Sequence, residues 1–170
     1  YYETLLPLLP DEKDKAQIYL KHGHVMSLVG SWDNAEDDYR AALELAKGEK
    51  LLTARAQHAL GRLDNNRGDY TSALDWLAQA KESLTDINDP TLLAQIVITT
   101  GMVLVRRGEY AQAQQPLQEG LALAQQAGDK YFMAEALNNL GLLANLQSDL
   151  TTARQLYEEC LNLRREIGDK

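Results

Sequence analysis

The chain repeats itself about every forty residues, and that period decides what it can fold into. Its closing stretch opens on Gly128-Asp129-Lys130 and closes on Gly168-Asp169-Lys170. Between the two tripeptides lie two amphipathic helical patterns joined by a short polar turn. Slid back along the chain in steps of about forty residues, this stretch recurs three more times. A supersecondary unit repeated at such a period cannot bury its apolar face alone and stacks on its neighbours, which predicts an all-α solenoid of four antiparallel helix hairpins.

Small residues mark the period most sharply. Gly23, Gly61, Gly101 and Gly141 are separated by 38, 40 and 40 residues. Twelve positions after each glycine stands Ala35, Ala73, Ala113 or Ala153, and nine after stands Trp32, Tyr70, Tyr110 or Leu150. Sixteen after comes Tyr39, Leu77, Leu117 or Tyr157, and nineteen after comes Ala42, Ala80, Gly120 or Cys160. Two antiparallel helices approach closely only where Gly or Ala faces the partner, with a larger apolar side chain filling the space beside it. Four matches at five linked positions exclude coincidence.

This pattern resembles the tetratricopeptide repeat family over nearly the whole chain, from about Asp11 to the end. The resemblance implies a right-handed superhelix whose first helices line an inner groove that binds proteins or peptides. The period is longer than the family's usual one. Tandem runs with ALNNLG-like first helices and LRREIGDK-like joins are similar to those in large bacterial signalling ATPases and transcriptional regulators. The expectation is therefore a fragment of a larger bacterial regulatory protein, with Tyr1 starting mid-pattern and Lys170 stopping where a fifth repeat would begin.

Composition narrows the function classes. A net charge of −8 argues against gripping a phosphate backbone, which takes clustered Lys and Arg, so no nucleic-acid partner is expected of this segment. No apolar run approaches the ~20 residues needed to span a bilayer, and no leader peptide is recognisable. One cysteine rules out an internal disulfide framework and fits a cytoplasmic setting. Loops for phosphates and motifs for metallopeptidases or serine hydrolases are absent, so no catalytic residue, metal or cofactor is assigned. His22 and His24 lie two apart and point in different directions on a helix, without a set of ligands to complete a zinc site. Cys160 falls at a small-residue position and reads as a packed thiol.

Along the chain, residues 1–10 carry Pro7 and Pro10 and are expected to be irregular, their leucines covering the first hairpin. The array is assigned to residues 11–170, with repeats over about 11–48, 49–88, 89–128 and 129–170. Helices are expected near 11–28, 33–47, 51–66, 70–84, 90–107, 110–127, 130–147 and 150–167. Asp33, Glu36, Asp37 and Asp38 are placed near a helix start, where the dipole favours acids. Pro116 falls past the first turn of its helix and predicts a bend there, eased by Gly120. His22 and Asp64 break the apolar pattern at their positions. Asp64 is expected to pair with Arg67 one turn on, or to be partly exposed.

The family resemblance places five positions of each first helix on the inner groove. In the first repeat these are Gln17, Leu20, His24, Ser27 and Leu28. In the second they are Arg55, His58, Arg62, Asn65 and Asn66. The third supplies Gln95, Ile98, Met102, Val105 and Arg106, and the fourth Glu135, Asn138, Leu142, Asn145 and Leu146. Arg55, His58 and Arg62 recur at helical spacing with no acid among them, and Arg106 continues that polarity. Asn65, Asn138 and Asn145 offer amides to an extended backbone, with Gln95 beside them and Ile98, Met102 and Leu142 as an apolar floor. The expected partner is a protein or peptide, extended or helical, carrying an acidic group. The family's two-carboxylate clamp for chaperone tails needs Lys and Asn where this chain has Leu20 and His24.

Three functions follow. The first is a non-catalytic binding scaffold. The second is a sensing module whose ligand changes the superhelix and controls an attached DNA-binding or nucleotide-hydrolysing domain. The third is self-association through the last helix, with Leu156, Leu163 and Ile167 on an uncovered outer face.

Overall fold

The structure of the chain is a computed structural model and describes residues 11–168. The expected cover from the leucines of residues 1–10 lies outside the described residues. All regular structure among the described residues is helical. The helices are α1 (Glu12–Leu28), α2 (Trp32–Leu45), α3 (Lys50–Arg67), α4 (Tyr70–Ser83), α5 (Pro90–Arg107), α6 (Tyr110–Ala127), α7 (Lys130–Leu146) and α8 (Leu150–Glu166). Successive pairs pack as hairpins: α1 on α2, α3 on α4, α5 on α6 and α7 on α8. Two compact units result, one ending at Asn88 and the other beginning at Asp89. In the first, α3 packs on α2 and also touches α1. In the second, α7 stands in the same relation to α6 and α5.

Local chemistry starts and stops these helices. The side chains of Asp11, Asp69, Asp89, Asp129 and Asp149 accept hydrogen bonds from backbone N–H groups of the first turn that follows each. Pro90 occupies the first turn of α5, where a missing N–H costs nothing. At the end of α3 the chain turns through Gly68 at φ +84°, and the Asp69 N–H donates back to the Asp64 carbonyl at 2.9 Å. The corresponding place after α7 holds Ser148 at φ +65°, a conformation a side chain adopts only at some cost.

Inside every hairpin the glycine faces the residue sixteen positions on. A Cβ added to Gly23 would lie 2.7 Å from Tyr39 Cε1, one on Gly61 2.9 Å from Leu77 Cγ, one on Gly101 2.5 Å from Leu117 Cγ, and one on Gly141 2.8 Å from Tyr157 Cε1. The alanines at the twelfth position and the small residues at the nineteenth are all buried. Cys160, at one of the latter, donates its thiol to the Ala134 carbonyl at 3.2 Å.

Several expectations change. The large residues nine after each glycine do not fill the crossing. They open the second helix of each hairpin, and Leu150 is 67% exposed. Helix α6 continues past Pro116 to Ala127, and a Cβ on Gly120 would lie 2.4 Å from Ile98 Cγ1, so that glycine packs as the other small residues at its position do. On α8 the helical phase differs from the one expected. Leu156 and Leu163 pack inward with Ala134, Leu137 and Cys160, while Leu161 is exposed and Tyr157, though 37% exposed, lies against Gly141. Leu156 and Leu163 are thus half-buried in the hairpin rather than on an uncovered outer face. Ile167 lies past the end of the helix and is exposed.

Candidate functional site

Within the first unit α1 and α3 touch, so their outer faces adjoin. Arg55 and Arg62 lie seven residues apart on α3, two turns along one side, and both are exposed. Neither makes an ion pair among the described residues, whereas Arg40, Arg67, Arg107 and Arg154 each hold a carboxylate. His58 does not stand between them as a surface ligand. It is 6% exposed, and burial, helped by the Arg62 charge, pushes its pKa down to about 3. A neutral imidazole beside the Arg62 guanidinium is the arrangement electrostatics favours. Arg62 also lies near the buried Tyr39, whose phenol burial pushes up against the opposing pull of that guanidinium. Asn65 is 2% exposed, and its Oδ1 accepts no hydrogen bond. Asn66, beside it in sequence, is exposed.

In the second unit Arg106, Asn138, Leu142 and Asn145 are exposed, and Gln95 and Met102 are half-buried. Ile98 is 2% exposed and belongs to the core, against Gly120, rather than to an open floor. The expected set thus divides. Arg55, Arg62, Arg106, Asn138, Leu142 and Asn145 offer surface, while His58, Asn65 and Ile98 are packed beneath it.

A second cluster lies where α2, α3 and α4 meet, around a polar concavity lined by Glu36, Arg40, Asp64, Arg67, Asp75 and Trp76. Asp64 takes the second of its two expected states, partly exposed, and Arg67 makes its bonds elsewhere. It bonds Glu36 and, at 2.7 Å, Asp33, both across the seam on α2. Arg40 bonds Glu36 at 2.7 Å and lies 5.9 Å from the Trp76 ring centre. Hydrogen bonds from Arg67 and then Arg40 hold the Glu36 carboxyl below its usual range. Asp64 is half-buried and accepts no side-chain hydrogen bond. Burial first, then Asp69 and Glu36, push its carboxyl up. Asp33 and Glu36 of α2 thus also pair with the neighbouring hairpin.

The first hairpin carries a polar pair inside it. His22 Nδ1 lies 2.6 Å from Asp38 Oδ2, and burial pushes the Asp38 carboxyl up against the opposing effect of His22. Sequence reasoning flagged His22 but not its partner. The signal was present, since His22 and Asp38 are sixteen apart, the same spacing that joins Gly23 to Tyr39. Among the described residues no three His, Cys, Asp or Glu side chains are placed to hold a metal ion, and no helix is long and apolar enough to cross a membrane.

These hairpins, with their recurring glycine and sixteen-residue contact, define a helical-repeat protein of the all-α solenoid class. Tetratricopeptide repeat matches cover residues 14–86 and 93–166, and the chain belongs to that family. No curated protein sequence matches it. Among solved structures it is similar to the apo form of RapI, at 19% identity and TM-score 0.85, covering 98% of this chain and 62% of that one. Aspartyl phosphate phosphatase F from Bacillus subtilis is similar at 14% identity and TM-score 0.88, over 98% of this chain and 44% of that one. BtubC from P. vanneervenii follows at 18% identity and TM-score 0.82, over 99% and 72%. The chain thus spans less than two thirds of the first two, and the likeness is one of fold.

Proposed function

We propose that this chain is a non-catalytic docking module that holds a segment of a partner protein along the α1–α3 face of its first unit. The segment is extended or helical and carries a carboxylate that meets Arg55 and Arg62. One observation carries this reading. In a chain of net charge −8, two exposed arginines share one face of α3 with no acid partner among the described residues. An exposed guanidinium held on a rigid helix is an efficient anchor for a carboxylate, which it meets with two parallel hydrogen bonds. The exposed amides Asn138 and Asn145 of the second unit suit a peptide backbone in the same way. The module works in the bacterial cytoplasm as part of a larger regulatory protein, a setting supported by its single buried thiol and by a Bacillus subtilis protein of the same fold.

The test is affinity capture from the source organism, with wild-type chain beside an Arg55→Glu/Arg62→Glu variant. A partner held by the wild type is expected to lose at least about tenfold in affinity for the variant, as a charge reversal at a carboxylate contact requires. Equal retention by both would remove the arginines from the binding face.

A further inference from the structure

The spacing of side chains on α3 selects the form of the segment that lies on it. Arg55, Ala59, Arg62 and Asn66 follow one another at intervals of four, three and four residues, which makes one stripe along the helix. Both arginines and Asn66 are exposed, and Ala59 is half-buried. Ala59 and the half-buried Leu20 of α1 pack on the same cluster of Ala35, Tyr39, Leu60 and Leu63. The strip where α1 meets α3 is therefore low and apolar, with an arginine before and after it on α3. His58, buried and neutral, adds no charge between the two. Both helices that border the strip are described, and α2 and α4 pack against them, so it is a lateral face of the first unit and not an end of it.

Seven residues of α-helix rise about 10.5 Å and come back to within about 20° of the same face. A second helix lying along α3 has the same period, so acids seven apart on it meet both arginines in register. An extended strand does not. Its side chains return to one face every ~6.6 Å, so acids on that face fall short of the second arginine or overshoot it. Ala59 supplies the other requirement of helix on helix, a small residue that lets the two backbones approach. The space above it admits one larger apolar side chain between the two acids.

We infer, resting on the docking role proposed for the α1–α3 face, that the partner segment is an α-helix of the pattern (Asp/Glu)-x-x-Leu-x-x-x-(Asp/Glu). Its acids meet Arg55 and Arg62, and its leucine rests on Ala59 and Leu20. A second copy of this chain is a poorer occupant. Among the described residues, no helix has an exposed leucine three or four places after the first of two acids seven apart. Residues 1–10 hold a single acid, Glu3, and so lack the pair.

The probe is the peptide AAQEAQLAAQEAAQK, side-chain-stapled on the face away from its acids because a helix of this length is marginal in water. Its first control, AAQEAQLAAEQAAQK, is stapled alike and keeps composition and charge, but turns the second acid about 100° aside. Its second control, AAQEPQLAPQEAAQK, is unstapled and keeps both acids in a chain that its prolines bar from the helix. Binding is read by fluorescence anisotropy, and its place by amide NMR shifts. The probe is expected to bind about tenfold more tightly than either control, the effect of one charge-assisted contact. Shifts are expected to centre on Leu20, Ala59 and Arg62. Arg55→Gln and Arg62→Gln, both at exposed positions, are each expected to weaken the probe about tenfold. If either control binds as tightly as the probe, the helix of this spacing is overturned. The docking face itself still stands in that case, provided that Arg55→Glu/Arg62→Glu abolishes the binding. Binding of no peptide, or binding indifferent to that charge reversal, overturns both. A concentration-dependent dimer of the chain alone that the reversal abolishes also overturns the inference, since a second copy would then be the occupant.

Discussion

The seam between α2 and α3 and the seam between α6 and α7 are built on one backbone register and differ in chemistry. The first brings together Asp33, Glu36, Arg40, Asp64 and Arg67, with Trp76 at its edge. The second has glutamines and an alanine at the matching positions and still packs with Ala113 and Leu117 fully buried. Charge is therefore not what makes two hairpins stack. Apolar side chains around the small-residue crossings do that. The charged seam instead adds pairing rules and a dependence on pH that the neutral seam lacks.

The largest predicted effect attacks what both regions share. Gly101→Val places a Cβ 2.5 Å from Leu117 Cγ and is expected to cost about 3 kcal/mol in denaturant unfolding, with amide-exchange protection lost mainly in α5–α8. Gly61→Val, where the closest approach is 2.9 Å, is expected to cost less and to act on α1–α4. If each variant loosened both units equally, the hairpins would not be separate packing units.

A smaller effect tests the polar pair in the first hairpin. His22→Leu leaves Asp38 desolvated without that partner and is expected to cost about 2 kcal/mol. The double change His22→Leu/Asp38→Leu recreates the pair Leu140 and Leu156 found at the same positions in the last hairpin. It is expected to match or exceed wild-type stability by about 1 kcal/mol in thermal denaturation. A double variant as unstable as the single one would show that the pair is needed where it stands.

The smallest effect separates the seams by pH. The Asp64 carboxyl is raised by burial, so its contribution to stability is present below its unfolded value and lost as pH rises through the folded one. Asp64→Asn is therefore expected to stabilise the chain by a few tenths of a kcal/mol near pH 7, with the gain fading toward about pH 3. Glu36 is lowered by Arg67 and Arg40, so its contribution is present above its unfolded value and lost as pH falls through the folded one. Glu36→Gln should accordingly destabilise near pH 7, by up to about 1 kcal/mol, and converge on wild type in acid. Parallel pH curves for the two variants would refute this assignment.

The fold was legible because its code is local. Gly23, Gly61, Gly101 and Gly141 each meet a residue sixteen positions later in the same hairpin, so period and contact are written together. What lies between helices was less readable. Spacing offers Arg67 only Asp64 on its own helix as a partner, but the acids that hold it come from α2, more than thirty residues earlier. The inward place of Leu156 and Leu163 on α8 was likewise not readable, because packing against Ala134 and Leu137 of α7 sets it. At the candidate site, Arg55 and Arg62 could be placed from the family's groove positions. The burial of His58 and Asn65 could not, since both are polar and the same positions in the first repeat hold the half-buried Leu20 and Ser27.

The glycine contact inside each hairpin also bears on how such chains lengthen. A forty-residue cassette copied whole brings both halves of its own crossing, so the duplicate is already compatible within itself. Only the few residues facing the neighbouring cassette need editing, from glutamines to ions. Duplication supplies the architecture, and a handful of point changes at the joint decides which cassette will sit beside which.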